Sequence, residues 1–494
     1  MATVEEQQPL LRPVVEDAEA DNKHDEVILD FEAGDPENPR EWDTKFKWFI
    51  VFLLAFMAFT VTFTCIGVVP IAASIVDELE GQHAGPATSA LLVTIWELGE
   101  AAGPLLIAPL SEVFGRYPVM NGCNIVFIIA TFLAAGSTST NLLIAARWLT
   151  GFAVASNVLN PSIIGDIFES DQRGSAMSLI SLAPLIGGAV GPAIAGAIAQ
   201  TLGWRQVLLM AGVLAVVAEI LFLTCFRETY KMAILHRRIA RLKRESGEFK
   251  AEPLTPKNRQ EDLQKIWHAL TRPFAVLFGS GVLMSLSLQA SISFSFFYVM
   301  SISLPSILQE TYGFNPAETG AAFIIFSVGS LLSVLLCNSF LDRIYIWLRN
   351  RSPDPEDQGK PEYRLPLAVL GAVLLPFSVT GYGWIAHLKL PVPLLLASVA
   401  LLDFTLLTNI IPLQAYVVDA CGLYSASAMT GVIVTRCLMG TFLPLATEPL
   451  HQYLGYGWGF TVLGGVALAV SVVPIAVLRY GSEWRQRSEY TRDA

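Results

Sequence analysis

Charge is scarce in this sequence, and so are the patterns of common enzyme sites. Of the 494 residues, 53% are apolar and only 15% are Asp, Glu, Lys or Arg, whereas about a quarter of a soluble protein is charged. Six histidines are scattered along the chain, and no H-E-x-x-H, G-x-S-x-G or G-x-x-x-x-G-K-[ST] pattern occurs. These absences argue against a soluble protein, a membrane enzyme and an ATP-driven pump, and we expect no cofactor.

The spacing of the cysteines and the lack of a basic patch argue against two further classes. The cysteines have no paired or metal-ligand spacing and fall in or beside apolar runs, which is typical of small buried side chains. We therefore expect no metal site. The net charge of −11 says little about partners, because much of the acid lies in the first 45 residues and in loops. Nucleic-acid binding needs a basic patch and none is visible, so we expect no nucleic-acid partner. The cysteines are Cys65, Cys123, Cys225, Cys337, Cys421 and Cys437.

Long apolar runs dominate what is present. A helix needs about 20 apolar residues to cross a bilayer, and twelve runs of this kind recur along the chain. The sequence therefore predicts an all-α polytopic membrane protein. The first six runs lie near residues 48–76, 87–109, 118–136, 142–164, 174–200 and 205–226, and the second six near 274–303, 317–337, 365–387, 392–418, 425–449 and 456–478.

A polar linker separates the first six runs from the second six, which predicts two six-helix bundles packed around a central cavity. Loops on the linker's side carry most of the loop Lys and Arg, and this bias places both termini in the cytoplasm. We expect a disordered acidic cytoplasmic tail at 1–47, a bundle at 48–226, a cytoplasmic linker at 227–272, a second bundle at 273–480 and a cytoplasmic tail at 481–494.

The linker contains a candidate amphipathic helix. Met232, Leu235, Ile239 and Leu242 share one helical face, and basic residues occupy most of the rest. Such a helix binds a membrane through its apolar face, so we expect it to lie along the inner leaflet.

A short connection after the second run combines a turn with opposite charges. The apolar run ends at Pro109, and a loop then carries Glu112, Gly115 and Arg116 within the sequence GPLLIAPLSEVFGRYPV. A connection this short must turn sharply, which suits glycine. Its acid and base can bond to each other or to helix ends at the membrane edge.

This stretch resembles the loop between spans 2 and 3 of the major facilitator superfamily of secondary transporters. Its sequence, GPL-x-x-A-PLSE-x-x-GR, is similar to the corresponding sequence in the fungal branch of that superfamily's drug:proton antiporters. Three residues depart from the superfamily's usual pattern, namely Ala108, Glu112 and Tyr117. The ion-pair element that the resemblance implies therefore lacks its second basic residue here, although Glu112, Gly115 and Arg116 are present.

The loop after span 4 supplies candidate partners for this element. Asp166 and Arg173 bracket that loop, and we expect them to pair with Arg116 and Glu112 as a gate latch at the inner end. The alternative is that these charges are merely solvated, as loop charges usually are.

Further segments carry the same resemblance, which covers nearly the whole chain from Asp35 onward. DPENPREWDTKFKW at Asp35–Trp48 is similar to the segment before span 1 in the fungal antiporters, and E-T-Y-x-x-x-I-L at Glu228–Leu235 to their segment after span 6. YxxDAxxxYxxSA at Tyr416–Ala428 and TRCLMGTFLPLATEPL in span 11 resemble them as well. The resemblance implies the major facilitator fold and proton-driven transport.

Span 5 carries closely spaced glycines. Gly187 and Gly191 have a spacing that lets a neighbouring helix approach closely, and Pro192 leaves a helix carbonyl without its usual bond. With Gly196, these residues resemble the antiporter motif G-x-x-x-G-P-x-x-G-G, in which Ala195 here replaces one glycine. The resemblance implies export rather than import, and ordinary tight packing is the alternative.

Span 2 holds two acids within the membrane. Glu97 and Glu100 are three residues apart and share one helical face. They lie about 18 and 14 Å from Pro109 at about 1.5 Å per residue. Removal from water favours the protonated form of a carboxyl group, so either acid is a candidate proton carrier or a counter-charge for a cationic substrate. The alternative is a structural hydrogen bond to a neighbouring span.

Span 4 contains an arginine. Arg147 precedes Gly151 by four residues, which resembles the superfamily's span-4 motif and implies a part in proton transfer. Since arginine does not lose its own proton, we expect it to hold a carboxylate ionised, with Glu97 or Glu100 as the first candidate. The alternative is a structural clamp near the outer end of span 4.

The second half offers polar and aromatic side chains for a substrate pocket. Asp403 of span 10 and Arg436 of span 11 lie at similar depth, and we expect them to pair as further proton-coupling candidates. The substrate-cavity candidates are Asn157, Gln289, Phe297, Tyr298, Asn409 and Gln414.

We therefore expect a proton-driven exporter from a fungus-like cell, which moves small amphipathic organic compounds outward by alternating access. Such compounds include drugs, toxins and secondary metabolites. The protein would act as a monomer in the plasma membrane or, alternatively, in the vacuolar membrane. The rival on the same fold is an importer or facilitator of a small nutrient or polyamine. A sensor built on a transporter fold is disfavoured because the tail and linker are short.

Overall fold

The computed structural model describes residues 31, 35–81, 85–245, 259–351 and 359–491. Over these residues the regular structure is helical, and twelve segments are long and apolar enough to cross a membrane. The predictions of an all-α protein and of twelve spans are confirmed. The predicted tail at 1–47 lies mostly outside the described residues, and so do the side chains of Ile239 and Leu242.

Six spans are single helices, and spans 11 and 12 follow each other across one glycine turn. The single helices are Pro86–Phe114 (span 2), Arg116–Ala135 (span 3), Ser170–Leu202 (span 5), Trp204–Cys225 (span 6), Leu365–His387 (span 9) and Val392–Cys421 (span 10). Spans 11 and 12 form Ser425–Arg485, which is divided at Gly455, where φ is 70°.

The other spans are interrupted. Span 1 changes direction where Pro70 has no N–H to continue the α-helix. Its parts are Thr44–Ile66, the 3₁₀ turn Val69–Ile71 and Ala72–Glu80; span 4 is Thr140–Phe152 and Ser156–Ile167; span 7 is Gly281–Ser306 and the π turn Ile307–Thr311; span 8 is Pro316–Ala322 and Ile324–Asn350. The linker helices are Lys231–Glu245 and Arg259–Gly279, and the short 3₁₀ turns are Pro39–Glu41, Pro361–Arg364 and Gly422–Tyr424.

Two predicted boundaries differ from the structure. Span 2 continues through Pro109, so Glu112 lies in its last helical turn and not in a loop, and the chain turns at Gly115 with φ of 97°. Span 7 begins at Gly281 and not near residue 274. The reason is Ser280, whose side chain accepts a hydrogen bond from the first turn of a new helix.

The apolar cores show how the two halves meet. At the end away from the chain termini, the far end, one core contains Ile71 of span 1, Phe296 of span 7 and Tyr382 of span 9, so both halves share it. At the opposite end, the terminus end, spans 1–6 and spans 7–12 have separate cores. The main contacts between the halves join span 1 to span 7, span 2 to span 11 and span 5 to span 8. The fold is thus two six-helix bundles joined most tightly at the far end.

Candidate functional site

The two acids of span 2 lie between the halves. Glu97 and Glu100 have only 2% and 7% of their surface exposed. The Tyr298 hydroxyl of span 7 donates a 2.6 Å hydrogen bond to Glu97. Glu100 accepts one of 2.8 Å from the Asn157 amide of span 4 and one of 3.4 Å from the Arg436 guanidinium of span 11. These five residues, the central cluster, connect both halves.

The central cluster has spare bonding capacity. Oε2 of Glu97 and Nε of Arg436 are buried without a hydrogen-bond partner among the described residues. The Arg436 guanidinium also lies 4.5 Å from the centre of the Phe294 ring. With both carboxyl groups ionised, the cluster carries one excess negative charge, which is unfavourable in a medium of low dielectric constant. One proton removes that excess, so the geometry can hold a proton and exchange it.

Arg147 makes different contacts from those expected. Its guanidinium donates to the carbonyl oxygens of Thr64 at 2.9 Å and Cys65 at 3.0 Å, at the end of the first helix of span 1. The last carbonyl groups of a helix have no partner within that helix, and a cation stabilises this end. The expected pairing of Arg147 with Glu97 or Glu100 is therefore wrong, and the clamp alternative describes its contacts.

Asp403 does not pair with Arg436. Its carboxylate accepts a hydrogen bond from Ser330 of span 8, whereas Arg436 meets Glu100 of the other half. The predicted pair is wrong because the direction in which a helical side chain points, and not its depth alone, decides what it meets. Asp403 stays a proton-coupling candidate, but it lies outside the central cluster.

The polar cavity candidates fall into two groups. Asn157 and Tyr298 belong to the central cluster. Gln289 and Asn409 are buried and both donate to the Ser293 hydroxyl, at 3.2 and 3.1 Å. Their side-chain oxygens have no partner among the described residues, so they are available to a ligand.

The remaining cavity candidates differ from each other. Phe297 packs in an aromatic group with Phe294, Tyr298 and Phe326, and this group lies beside the central cluster. Gln414 is half-buried near the terminus end of span 10. Neither placement identifies a substrate contact, so these two assignments stay predictions.

The charged residues around the turn between spans 2 and 3 make different contacts from those of the expected latch. Arg116 lies 3.4 Å from Asp166 and also donates to Ser111. Arg173 instead donates to two backbone carbonyl oxygens at the end of span 4. Glu112 is exposed and forms no ion pair with any described residue, so its expected place in the latch is wrong. The gating role of the Arg116 contact stays a prediction.

Glu228 holds the turn before span 3, and sequence reasoning missed this role. Its carboxylate accepts hydrogen bonds from the backbone N–H groups of Arg116 and Tyr117, at 2.8 and 3.3 Å, and from those of Thr229 and Tyr230, both at 3.1 Å. A carboxylate is well suited to free N–H groups at a helix start. The available signal was the acid three residues after the end of span 6, in the sequence E-T-Y.

Two glycines of the antiporter motif face span 1. A Cβ on Gly187 would lie 3.0 Å from the carbonyl oxygen of Phe59, and one on Gly191 3.3 Å from the Cα of Phe63. These distances leave little room for a larger side chain, so the motif lets spans 1 and 5 pack closely.

The rest of the motif interlocks with span 8 at the far end. A Cβ on Gly196 would lie 2.2 Å from the carbonyl oxygen of Pro316, and one on Gly320 would lie 2.1 Å from that of Pro192. Each helix therefore presents a Pro-x-x-x-Gly segment to the other half, and only glycine fits at these contacts. The association of the motif with export stays a prediction.

Comparison with known proteins agrees with this architecture. Residues 48–444 match the family model of the Major Facilitator Superfamily. The chain is 31% identical over 484 residues to the efflux pump radE of Floropilus chiversii, across 95% of this chain and 87% of that protein. It is 33% identical over 476 residues to the MFS transporter prlG of a fungal species (strain NRRL 50135), across 95% of this chain and 98% of that protein.

Solved structures show the same fold. A D-xylose-proton symporter aligns with a TM-score of 0.65 at 17% identity, across 87% of this chain and 97% of that one. A bacterial homologue of the human lysosomal transporter Spinster, inward-facing and unoccupied, aligns with a TM-score of 0.63 at 14% identity, across 90% and 98%. The chain therefore belongs to the major facilitator superfamily, and it is a membrane-embedded secondary transporter of small molecules, not an enzyme.

Proposed function

We propose that this transporter exports small amphipathic organic compounds, such as drugs, toxins or secondary metabolites, in exchange for protons. The central cluster carries the proposal, because two carboxyl groups of one half bond to Tyr298 and Arg436 of the other. A change in the charge of either acid changes the free energy of the contact between the halves. Proton binding and alternating access therefore depend on the same side chains.

The exchange follows from the charge of the cluster. With one proton on Glu97 or Glu100 the cluster is neutral. A substrate that bonds to the carboxylates in the space between the halves favours loss of that proton. Once the substrate has left, a proton from the other side restores neutrality and favours return to the uptake state.

Two features support the outward direction. The span-5 motif resembles one associated with exporters, and the relative from Floropilus chiversii is named an efflux pump. We place both termini and the linker in the cytoplasm, so that the shared core at the far end closes the outer side. We also propose that the protein acts as a monomer, in the plasma membrane or the vacuolar membrane.

The test is pH-driven efflux from a transporter-deleted yeast host, with a panel of fluorescent amphipathic dyes that first identifies a transported probe. Glu97→Gln and Glu100→Gln are compared with the parent, and Glu80→Gln serves as the control because Glu80 is an exposed acid at the far end. We expect each central variant to lose about tenfold or more of the efflux rate, equivalent to about 1.4 kcal/mol, while the control is unchanged.

Three results would contradict the proposal. Efflux that persists after a protonophore collapses the pH gradient would show that export is not coupled to protons. Undiminished efflux by both central variants at parental membrane levels would remove the central cluster from the mechanism. Accumulation of the probe inside the cell would reverse the direction.

A further inference from the structure

A groove opens on the outer surface of spans 2 and 3 near the terminus end, away from the central cluster. Its volume is about 400 Å³ and its lining is apolar. Gly122 is one of its lining residues, and a Cβ there would touch nothing within 4 Å. The lining residues are Leu110, Phe114, Pro118, Val119, Gly122 and Cys123.

The groove faces the hydrocarbon region of the bilayer. Phe114 is 59% exposed at its edge, and Ile125 and Val126 on the same stretch of span 3 are also exposed. An exposed apolar surface on a membrane-spanning helix contacts lipid chains. A groove of this size and lining can accommodate part of an acyl chain.

A basic side chain lies at the terminus end of the groove. Arg237 of the first linker helix lies 3.5 Å from Glu228, with 54% of its side chain exposed. Glu228 in turn bonds to the N–H groups of Arg116 and Tyr117, which directly follow the lining residue Phe114 and the Gly115 turn. Glu228 thus connects the guanidinium to the turn at the terminus end of the groove.

The contact with Glu228 leaves Arg237 able to bind a further anion. Four backbone N–H groups already bond to the Glu228 carboxylate, so it is stabilised without the arginine. Among the described residues, Glu228 is the one acid within 4 Å of Arg237. A guanidinium has five donors in a planar fork that matches a phosphate group.

We propose that this groove and Arg237 form a binding site for one anionic phospholipid of the adjacent leaflet. An acyl chain occupies the groove, and the phosphate of the headgroup bonds to Arg237. The apolar groove selects a lipid over a soluble phosphate, and the arginine selects an anionic headgroup over a zwitterionic one. The bound lipid connects the linker helix to the turn between spans 2 and 3.

The test uses the purified full-length protein and native mass spectrometry with equal amounts of phosphatidylserine and phosphatidylcholine. Arg237→Gln is matched by Arg241→Gln, an arginine one turn later on the same helix that lies 3.4 Å from Glu37 with 65% exposure. Gly122→Leu fills the groove and is matched by Gly465→Leu, a span-12 glycine whose Cβ would also meet open space.

We expect the parent to retain phosphatidylserine in preference to phosphatidylcholine by about fivefold, the size expected of one arginine beside an anionic headgroup. Arg237→Gln removes the preference, Gly122→Leu lowers the binding of both lipids, and both controls behave as the parent. Excess inorganic phosphate does not displace the lipid.

Several results would overturn the proposal. No preference in the parent would exclude the anionic headgroup. An equal loss in Arg237→Gln and Arg241→Gln would indicate general surface charge, and an equal loss in both glycine variants would exclude the groove. Displacement by inorganic phosphate would indicate a soluble anion site.

Discussion

Two arginines within the membrane, one in each half, differ in what they meet. Arg147 is 1% exposed, and its donors go to backbone carbonyl oxygens of spans 1 and 2. The side chain of Arg436 is 22% exposed and meets the Glu100 carboxylate across the halves. A backbone carbonyl keeps its charge throughout transport, whereas a carboxyl group gains and loses a proton. Under the proposed proton exchange, the partner of an intramembrane arginine, and not its burial, therefore decides whether a change of protonation affects it.

The largest expected effect is a loss of thermal stability, and it distinguishes Arg147 from Arg436. Arg147→Ala leaves the carbonyls of Thr64 and Cys65 buried without donors, at a cost of about 1–3 kcal/mol each. We expect a thermal midpoint several degrees lower in detergent, measured by fluorescence-detected size exclusion. Arg205→Ala is the control, since the exposed pair of Arg205 with Glu78 contributes about 0–1 kcal/mol. Equal midpoints for the two variants would contradict the clamp.

Arg436→Gln tests the other side of the comparison. We expect a smaller loss of thermal stability than in Arg147→Ala, together with a loss of pH-driven efflux of about tenfold or more, equivalent to about 1.4 kcal/mol. The reason is that two acids then share a site without a cation. The double variant Glu100→Gln/Arg436→Gln should recover stability but not coupling. Normal proton coupling in Arg436→Gln would mean that Arg436, like Arg147, takes no part in coupling.

A smaller effect sharpens the comparison at Glu97. Tyr298→Phe removes the 2.6 Å hydrogen bond, and a bond to a charged group contributes about 1.5–3 kcal/mol. A hydroxyl donor favours the ionised acid, so its removal makes release of the proton harder, and the loss of efflux should be largest at low pH and shrink as the pH rises. Efflux rates measured across a pH series check this. A loss that is the same at every pH would indicate a packing effect only.

The smallest expected effect concerns Asp403. Asp403→Asn keeps an acceptor for Ser330, and no cation pairs with this acid among the described residues. We expect less than about a twofold change in efflux, within the ±0.5 kcal/mol of a tolerated substitution. A loss as large as that of Glu100→Gln at parental expression would establish a second proton site in the C-terminal half.

The architecture follows from properties that are local in sequence. The length of the apolar runs predicts twelve spans, because the hydrocarbon thickness fixes the helix length. The spacing of Glu97 and Glu100 predicts that they share a face, because a helix turns once in 3.6 residues. The sharp turn at Gly115 follows from the shortness of the connection.

The partners of the charged residues depend on how the helices are rotated and packed, which no local pattern encodes. Arg147 and Arg436 both lie in apolar runs, and only the structure distinguishes a helix end from a carboxylate as the partner. Glu112 was assigned to a loop because Pro109 was taken as the end of span 2, yet a proline near the end of a helix does not always break it. The cap by Glu228 joins residues 111 or more positions apart.

The Pro-x-x-x-Gly interlock between spans 5 and 8 has a consequence for how the molecule moves. Backbone lies directly against backbone at Gly196 and Gly320, so no flexible side chain separates spans 5 and 8 there. Sliding one helix along the other by a fraction of an ångström would therefore produce a steric clash. Separation must occur by tilting entire helices as stiff rods. The far end then has two discrete arrangements, closed or separated, without a continuum of intermediates.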